Sequence, residues 1–194
     1  MANHMFRALT KDEIEIRVVE ASENGVKLIP FKSARVDQNL LDETVGPMNW
    51  KCEHLHGNSN CSLSIHNDST GEWIAKEGVG ASYEMAGENA EKALASDALK
   101  RAGYLWGIGR ELYTAPKDIF VKAADCNLTK NADGSIGCYD KFYIEQIIID
   151  DETRKITALA IRNANVQNEN GKDKRVFVWD GRPAKEEAGA TANA

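Results

Sequence analysis

No stretch of this chain is long and apolar enough to span a bilayer, and its first residues, MANHMFRALTKDE, contain no apolar signal core. A cytoplasmic protein with no membrane partner is expected. Cysteine is sparse, and Cys52, Cys61, Cys126 and Cys138 never fall in C-x-x-C spacing, so reduced thiols are expected in place of a disulfide framework. Positive charge is short as well. With 24 Lys and Arg against 30 Asp and Glu, the formal net charge is -6, which excludes a protein that coats nucleic acid by bulk charge. Any nucleic-acid site has to be a local groove. There is no internal repeat. What is present, 194 residues at 42% hydrophobic and 28% charged, fits one soluble domain over 1–182. A tail follows over 183–194, PAKEEAGATANA, whose lack of periodicity predicts disorder.

The chain is organised around 88–113, ENAEKALASDALKRAGYLWGIGRELY. At 100° per residue Ala90, Leu94, Ala95, Ala98, Leu99, Ala102, Leu105 and Trp106 share one broad face, which predicts a helix packed closely on a sheet through small residues. Lys92, Ser96, Lys100 and Gly103 fall on the opposite stripe, with Asp97 and Arg101 as an i,i+4 pair at its border. Spacing alone describes an amphipathic helix with solvated lysines. Gly107-Ile108-Gly109 then ends it. That triplet follows a helix and lacks a third glycine, so it reads as a terminator and not as half of a nucleotide-binding fingerprint.

Before this helix, Thr10-Lys11-Asp12-Glu13 fits a capping box and predicts a short helix to about Val18 or Val19. Val26–Phe31 reads as a strand, with Pro30 at an edge or an end. A second helix is expected over Ala34–Val45, burying Val36, Leu40, Leu41 and Val45 and stopped by Gly46-Pro47. The period then becomes two, and Trp50–Leu55, Cys61–His66 and Glu72–Glu77 read as a meander of short strands. Glycines in the link from Gly78 to Gly87 suggest a sharp bend into the central helix. Past Pro116, Asn131-Ala132-Asp133-Gly134 is a turn, and Lys141–Ile149 with Lys155–Arg162 forms a hairpin about Asp150-Asp151-Glu152. Arg175–Trp179 offers a third strand, after a polar loop over Asn163–Asp173. The expected fold class is α+β: an antiparallel β-meander crossed by a long helix (β-β-β-α core), with an additional C-terminal β-hairpin.

Several constellations have plain readings. Cys52, His54, His56 and Cys61 span one hairpin, but alternate strand residues share a face for geometric reasons and the spacing is not that of a standard zinc site. No metal and no cofactor is expected. A Ser96–Lys100 dyad lacks any oxyanion hole or pocket, and no catalytic residue is assigned. Trp50, Trp73 and Trp106 read as core or subunit-interface residues in preference to base-stacking platforms.

Three segments carry a resemblance: Gly46-Pro47-Met48-Asn49-Trp50 after a helix, Lys76-Glu77-Gly78-Val79-Gly80 ending a strand, and Ser96-Asp97-Ala98-Leu99-Lys100-Arg101-Ala102 on the central helix. The last runs on into Trp106-Gly107-Ile108-Gly109-Arg110-Glu111-Leu112-Tyr113. In this order and spacing, over about residues 10–116, the chain resembles the single-strand annealing proteins related to the eukaryotic recombination protein Rad fifty-two, particularly their bacteriophage or prophage members of the Sak type. The resemblance implies a homo-oligomeric ring that anneals complementary single-stranded DNA without ATP in a basic groove, in a bacterial host's cytoplasm if phage-encoded. A single-strand-binding protein or a phage exonuclease is a candidate partner on the same ground. Lys100 and Arg101 match the family's DNA-contacting basic pair, and Lys92 a basic position two turns earlier. Arg35 is one residue out of register with another. Tyr104 stands where relatives carry a further cation, and Arg110 follows the glycines with either the groove or Glu111 before it.

The physical need agrees with that implication. A protein that anneals any sequence grips phosphates from a rigid element and leaves base edges free. The acidic balance supports a different class, an oligomeric scaffold or adaptor that recruits recombination or replication proteins through 141–162 and the tail, with little DNA affinity of its own.

Overall fold

The computed structural model describes residues 5–81 and 88–182. The expected tail and most of the glycine link lie outside those residues. Thr10 and Glu13 do make the reciprocal start of a helix, with the Thr10 amide and hydroxyl both donating to the Glu13 carboxylate. Only one 3-10 turn follows, Lys11–Glu13. The predicted helix is instead strand β1, Glu15–Ser22. The cap is a local signal, whereas Ile14, Ile16 and Val18 are β-branched and alternate toward the core, and that period of two prevails.

β1 pairs antiparallel with β2, Gly25–Phe31. β2 is the middle strand of its sheet, since β6, Ile119–Lys122, pairs with its other edge from Gly25 to Leu28. Pro30 lies past the last of those pairs, where a missing N–H costs nothing. Helix α1 spans Ala34–Val45 as expected, buries Leu40 and Leu41 completely, and stops at Gly46 with φ 87. It also buries Asp37, which periodicity did not mark.

β3 (Trp50–Leu55), β4 (Asn60–Asn67) and β5 (Glu72–Val79) form a second antiparallel sheet in that order, within one or two residues of the expected strands. Helix α2, Glu88–Trp106, packs against β4 and β5 on one side and α1 on the other. Gly78 and Gly80 permit that approach. A Cβ on Gly78 would sit 2.2 Å from the Ala102 amide nitrogen, and one on Gly80 2.5 Å from the Leu94 carbonyl oxygen. These glycines therefore make room for helix backbone, whereas the sequence suggested only a bend. The Trp106 indole completes the contact, donating to the Leu63 carbonyl at 3.0 Å.

Because α2 is covered on two sides, its predicted solvent stripe is not uniformly solvated. Gly103 is buried, Lys100 is half-buried, and Lys92 and Ser96 are exposed. On the expected core face Ala98, Leu99 and Ala102 are buried, but Leu105 is 39% exposed. A 3-10 turn over Arg110–Thr114 follows the glycines.

Beyond it, β7 (Leu128–Lys130) and β8 (Ile136–Cys138) make a hairpin about the expected Asn131–Gly134 turn. The expected C-terminal hairpin is part of a three-stranded antiparallel sheet of β9 (Phe142–Ile149), β10 (Ile156–Gln167) and β11 (Asp173–Asp180). β10 runs on into the predicted polar loop as far as Gln167. Asn163, fully buried, holds it there by donating to the Asp125 carbonyl at 3.1 Å and the Asp140 carboxylate at 2.7 Å. A satisfied amide is tolerated inside a strand, and composition does not reveal the satisfaction. No helix among the described residues is long and apolar enough to cross a membrane. Trp73, 44% exposed on the meander, is not a core residue.

Candidate nucleic-acid interface

The end of β2, the exposed side of α2 and the 3-10 turn after it enclose an open groove of about 360 Å³. Its lining holds Lys32, Lys100, Arg101 and Lys117 against the single carboxylate of Asp97. Within a chain whose acids outnumber its bases, this is a local cationic excess. Phe31, Tyr104 and Tyr113 supply aromatic surface beside the charges.

Phe31 gathers one of these cations and adds another from β1. The Arg17 guanidinium carbon lies 3.5 Å and the Lys100 ammonium 4.2 Å from the centroid of its ring. Strand pairing explains the arrangement, because Glu15 faces Phe31 and Arg17 faces Ile29 on neighbouring strands, so an Arg17 side chain leaning along its strand reaches the ring. On α2, Asp97 organises the rest. Its carboxylate accepts from the Arg101 Nε and the Ala81 amide, each at 2.9 Å, and stands 3.5 Å from the Lys100 Nζ. Burial would raise the Asp97 pKa, but the Ala81 amide and the Arg101 and Lys100 charges outweigh it and keep the carboxylate below its ordinary value. Burial pushes the Lys100 ammonium below its ordinary value, an effect that Asp97 opposes and Arg17 reinforces.

Beneath the groove a buried ion pair joins Lys32 to Asp37. Burial drives the Lys32 pKa down and that of Asp37 up to about 6, while each partner pulls the other back. Two glycines accommodate the pair. A Cβ on Gly103 would lie 2.2 Å from Asp37 Oδ1, and one on Gly109, whose φ is 70, would lie 2.5 Å from Lys32 Cε. The Gly-Ile-Gly terminator thus also leaves space for a buried cation.

Of the residues expected from sequence, Lys100, Arg101 and Tyr104 line this groove together. Tyr104 meets Tyr113 edge to face, with centroids 4.8 Å apart. Arg110 does not join them in the lining. Its Nε donates to the Tyr104 carbonyl and its Nη2 to the Leu105 carbonyl, both at 2.7 Å, so it caps the C-terminus of α2 and lines a second cleft with Lys76 and Trp106. Lys92 is exposed about 12 Å up the helix axis from Lys100, at 1.5 Å per residue. Arg35 is exposed at the start of α1 and does not line the groove. Arg17, Phe31, Lys32, Tyr113 and Lys117 were missed. Arg17 and Phe31 become visible once 15–22 is read with period two, because alternation then puts Arg17 on the outward face of β1.

Fixed cations beside exposed aromatic rings suit an extended polyanion carrying flat bases, since the cations can meet phosphates while the rings stack without reading base identity. Comparison with family models, curated proteins and solved structures finds no match for this chain, so its reading rests on this groove and on the sequence motifs.

Proposed function

We propose that this protein binds single-stranded DNA in the groove between β2 and α2 and anneals complementary strands without ATP, as a homo-oligomeric ring acting in recombination. The observation that carries the reading is the joint placement of Lys100, Arg101, Arg17 and the Phe31 ring on a rigid helix and sheet. The meander β3–β5 with α2 packed on it is read as the strand-strand-strand-helix core that the Sak-type resemblance implies. Lys100 and Arg101 are the principal phosphate contacts, Tyr104 a stacking or hydrogen-bonding surface, and Lys92 an outlying contact further along the strand. The chain acts as a binding protein and not as an enzyme. Ring assembly would set copies of the groove side by side, so weak binding per protomer becomes strong binding per ring.

The direct test is fluorescence anisotropy of a labelled oligonucleotide with wild-type protein and with Lys100→Gln/Arg101→Gln, which keeps side-chain volume near the original. Loss of binding at unchanged fold and oligomeric mass is expected. Undiminished binding would remove the groove as the site. If the folded, oligomeric wild-type protein does not bind oligonucleotides at low salt, the scaffold reading takes its place.

A further inference from the structure

The edge of the meander furthest from β5 holds a cluster that the groove does not use. Cys52 and His54 lie on β3 two residues apart, so they share a face, and His54 is paired directly with Cys61 on β4. The three donor atoms lie within 4.8 Å of one another. Cys52 Sγ is 2.8 Å from Cys61 Sγ and 3.5 Å from His54 Nε2, and both thiols are free. Cys61 is fully buried, Cys52 is half-buried and His54 is exposed, so the cluster opens outward from a fixed inner sulfur.

A tetrahedral metal ion fixes the separations its ligands must meet. Two thiolates about 2.3 Å from a tetrahedral zinc ion lie about 3.7 Å apart, and a thiolate and an imidazole about 3.6 Å apart. The sulfur-to-nitrogen separation meets that already. The two sulfurs must part by about 1 Å, which a small rotation of the outward Cys52 side chain supplies.

We propose that Cys52, Cys61 and His54 form a binding site for a thiophilic divalent ion, Zn2+ by preference, with two sulfur and one nitrogen ligands from the protein and the fourth place left to water. Two thiolates and an imidazole are the donor set of zinc and not of magnesium or calcium. Binding displaces a proton from each thiol to solvent and involves no redox change. The ion ties β3 to β4. β3 is an edge strand whose exposed side chains include Lys51, Glu53, His54 and Leu55, so it has few packing contacts of its own and gains most from such a link. The sequence pattern argued against zinc because its spacing is not that of a linear motif, but a hairpin brings together residues that no linear motif joins.

The test uses the full chain, reduced and purified without added metal. Zinc content after dialysis against metal-free buffer is measured first, followed by titration of the stripped protein with Co2+ and competition by Zn2+. One ion per chain is expected, with sulfur-to-cobalt charge-transfer absorption, and an X-ray absorption shell of two sulfurs at about 2.3 Å and nitrogen near 2.0–2.1 Å for zinc. Cys61 is buried and its replacement endangers folding, so Cys52→Ser and His54→Ala carry the genetic arm. Each should weaken Zn2+ binding beyond the roughly 10–100-fold seen when a supporting partner of a ligand is lost. A stripped protein with no charge-transfer band, variants that bind Zn2+ as tightly as wild type, or quantitative loss of both thiols to a disulfide with no metal uptake would each overturn the site.

Discussion

Two cations resting on one phenyl ring would repel each other in an apolar setting, yet Arg17 and Lys100 both meet Phe31, because the negative face of the ring and the nearby Asp97 offset the repulsion. That charge is pre-positioned, so little side-chain freedom is lost when a phosphate arrives. Phe31→Leu keeps apolar volume and removes the ring; the two cations together should lose about 0.5–1 kcal/mol of positioning, which anisotropy would read as roughly 2–5-fold weaker oligonucleotide binding at nearly unchanged thermal stability. Lys100→Ala should cost about 1–2 kcal/mol of binding and reduce the magnitude of the salt slope by about 0.7. Arg35→Ala, off the groove, should bind as wild type. An Arg35→Ala defect as large as that of Lys100→Ala would show that the site extends to α1 or lies there.

At the scale of the elements, the helix α2 sits where β5 has glycine. Gly78→Ala would drive a methyl group to 2.2 Å from backbone that has no room to retreat, and the expected loss is about 3 kcal/mol or more. Urea unfolding should show it as a lower midpoint at unchanged slope. A midpoint equal to that of wild type would mean that α2 stands further from the sheet. Much of this level was legible in the sequence. α1, the three meander strands and the alanine face of α2 follow from periodicity, caps and turn residues, all of which are local. What escaped is non-local: the Gly78 and Gly80 contacts depend on a helix many residues away, and Asp37 and Asn163 are buried because distant partners satisfy them. Arg17 escaped for a different reason, since a strong capping signal at Thr10 and Glu13 obscured the two-residue period beginning at Ile14.

Across the whole molecule, the N-terminal segment is secured to distant parts of the chain. The Leu9 amide donates to the buried Glu111 at 2.6 Å, and Arg154 donates to the Phe6 carbonyl at 2.5 Å. Arg7 forks between Glu13 and Glu43 of α1, with contacts of 2.7–2.9 Å. The Arg7 guanidinium holds Glu13 at about 2, below its ordinary 4.5, and lowers Glu43 as well. A depressed carboxylate stabilises the fold fully above its unfolded value, so this contribution is present above about pH 4.5 and is lost as pH falls toward 2. Arg7→Met should flatten the stability profile over that window, as read by thermal unfolding at successive pH values. An unchanged profile would show that Arg7 does not set it.

The same scale reconciles an acidic chain with the proposed DNA binding. Net charge of -6 repels a polyanion from most of the surface, whereas the groove offers Lys100, Arg101 and Lys117 against one carboxylate, and a ring would repeat that groove. For single strands each phosphate neutralised contributes about -0.7 to the slope of log affinity against log salt, so several protomers engaged together give a steep dependence. The deciding measurement is annealing of two complementary labelled oligonucleotides by the purified protein, without ATP or added metal, across a salt series. Fast annealing that falls steeply with salt, and that disappears in Lys100→Gln/Arg101→Gln, is the predicted result. A folded and oligomeric protein that neither binds nor anneals at low salt would contradict it and reduce the groove to a solvated helix face.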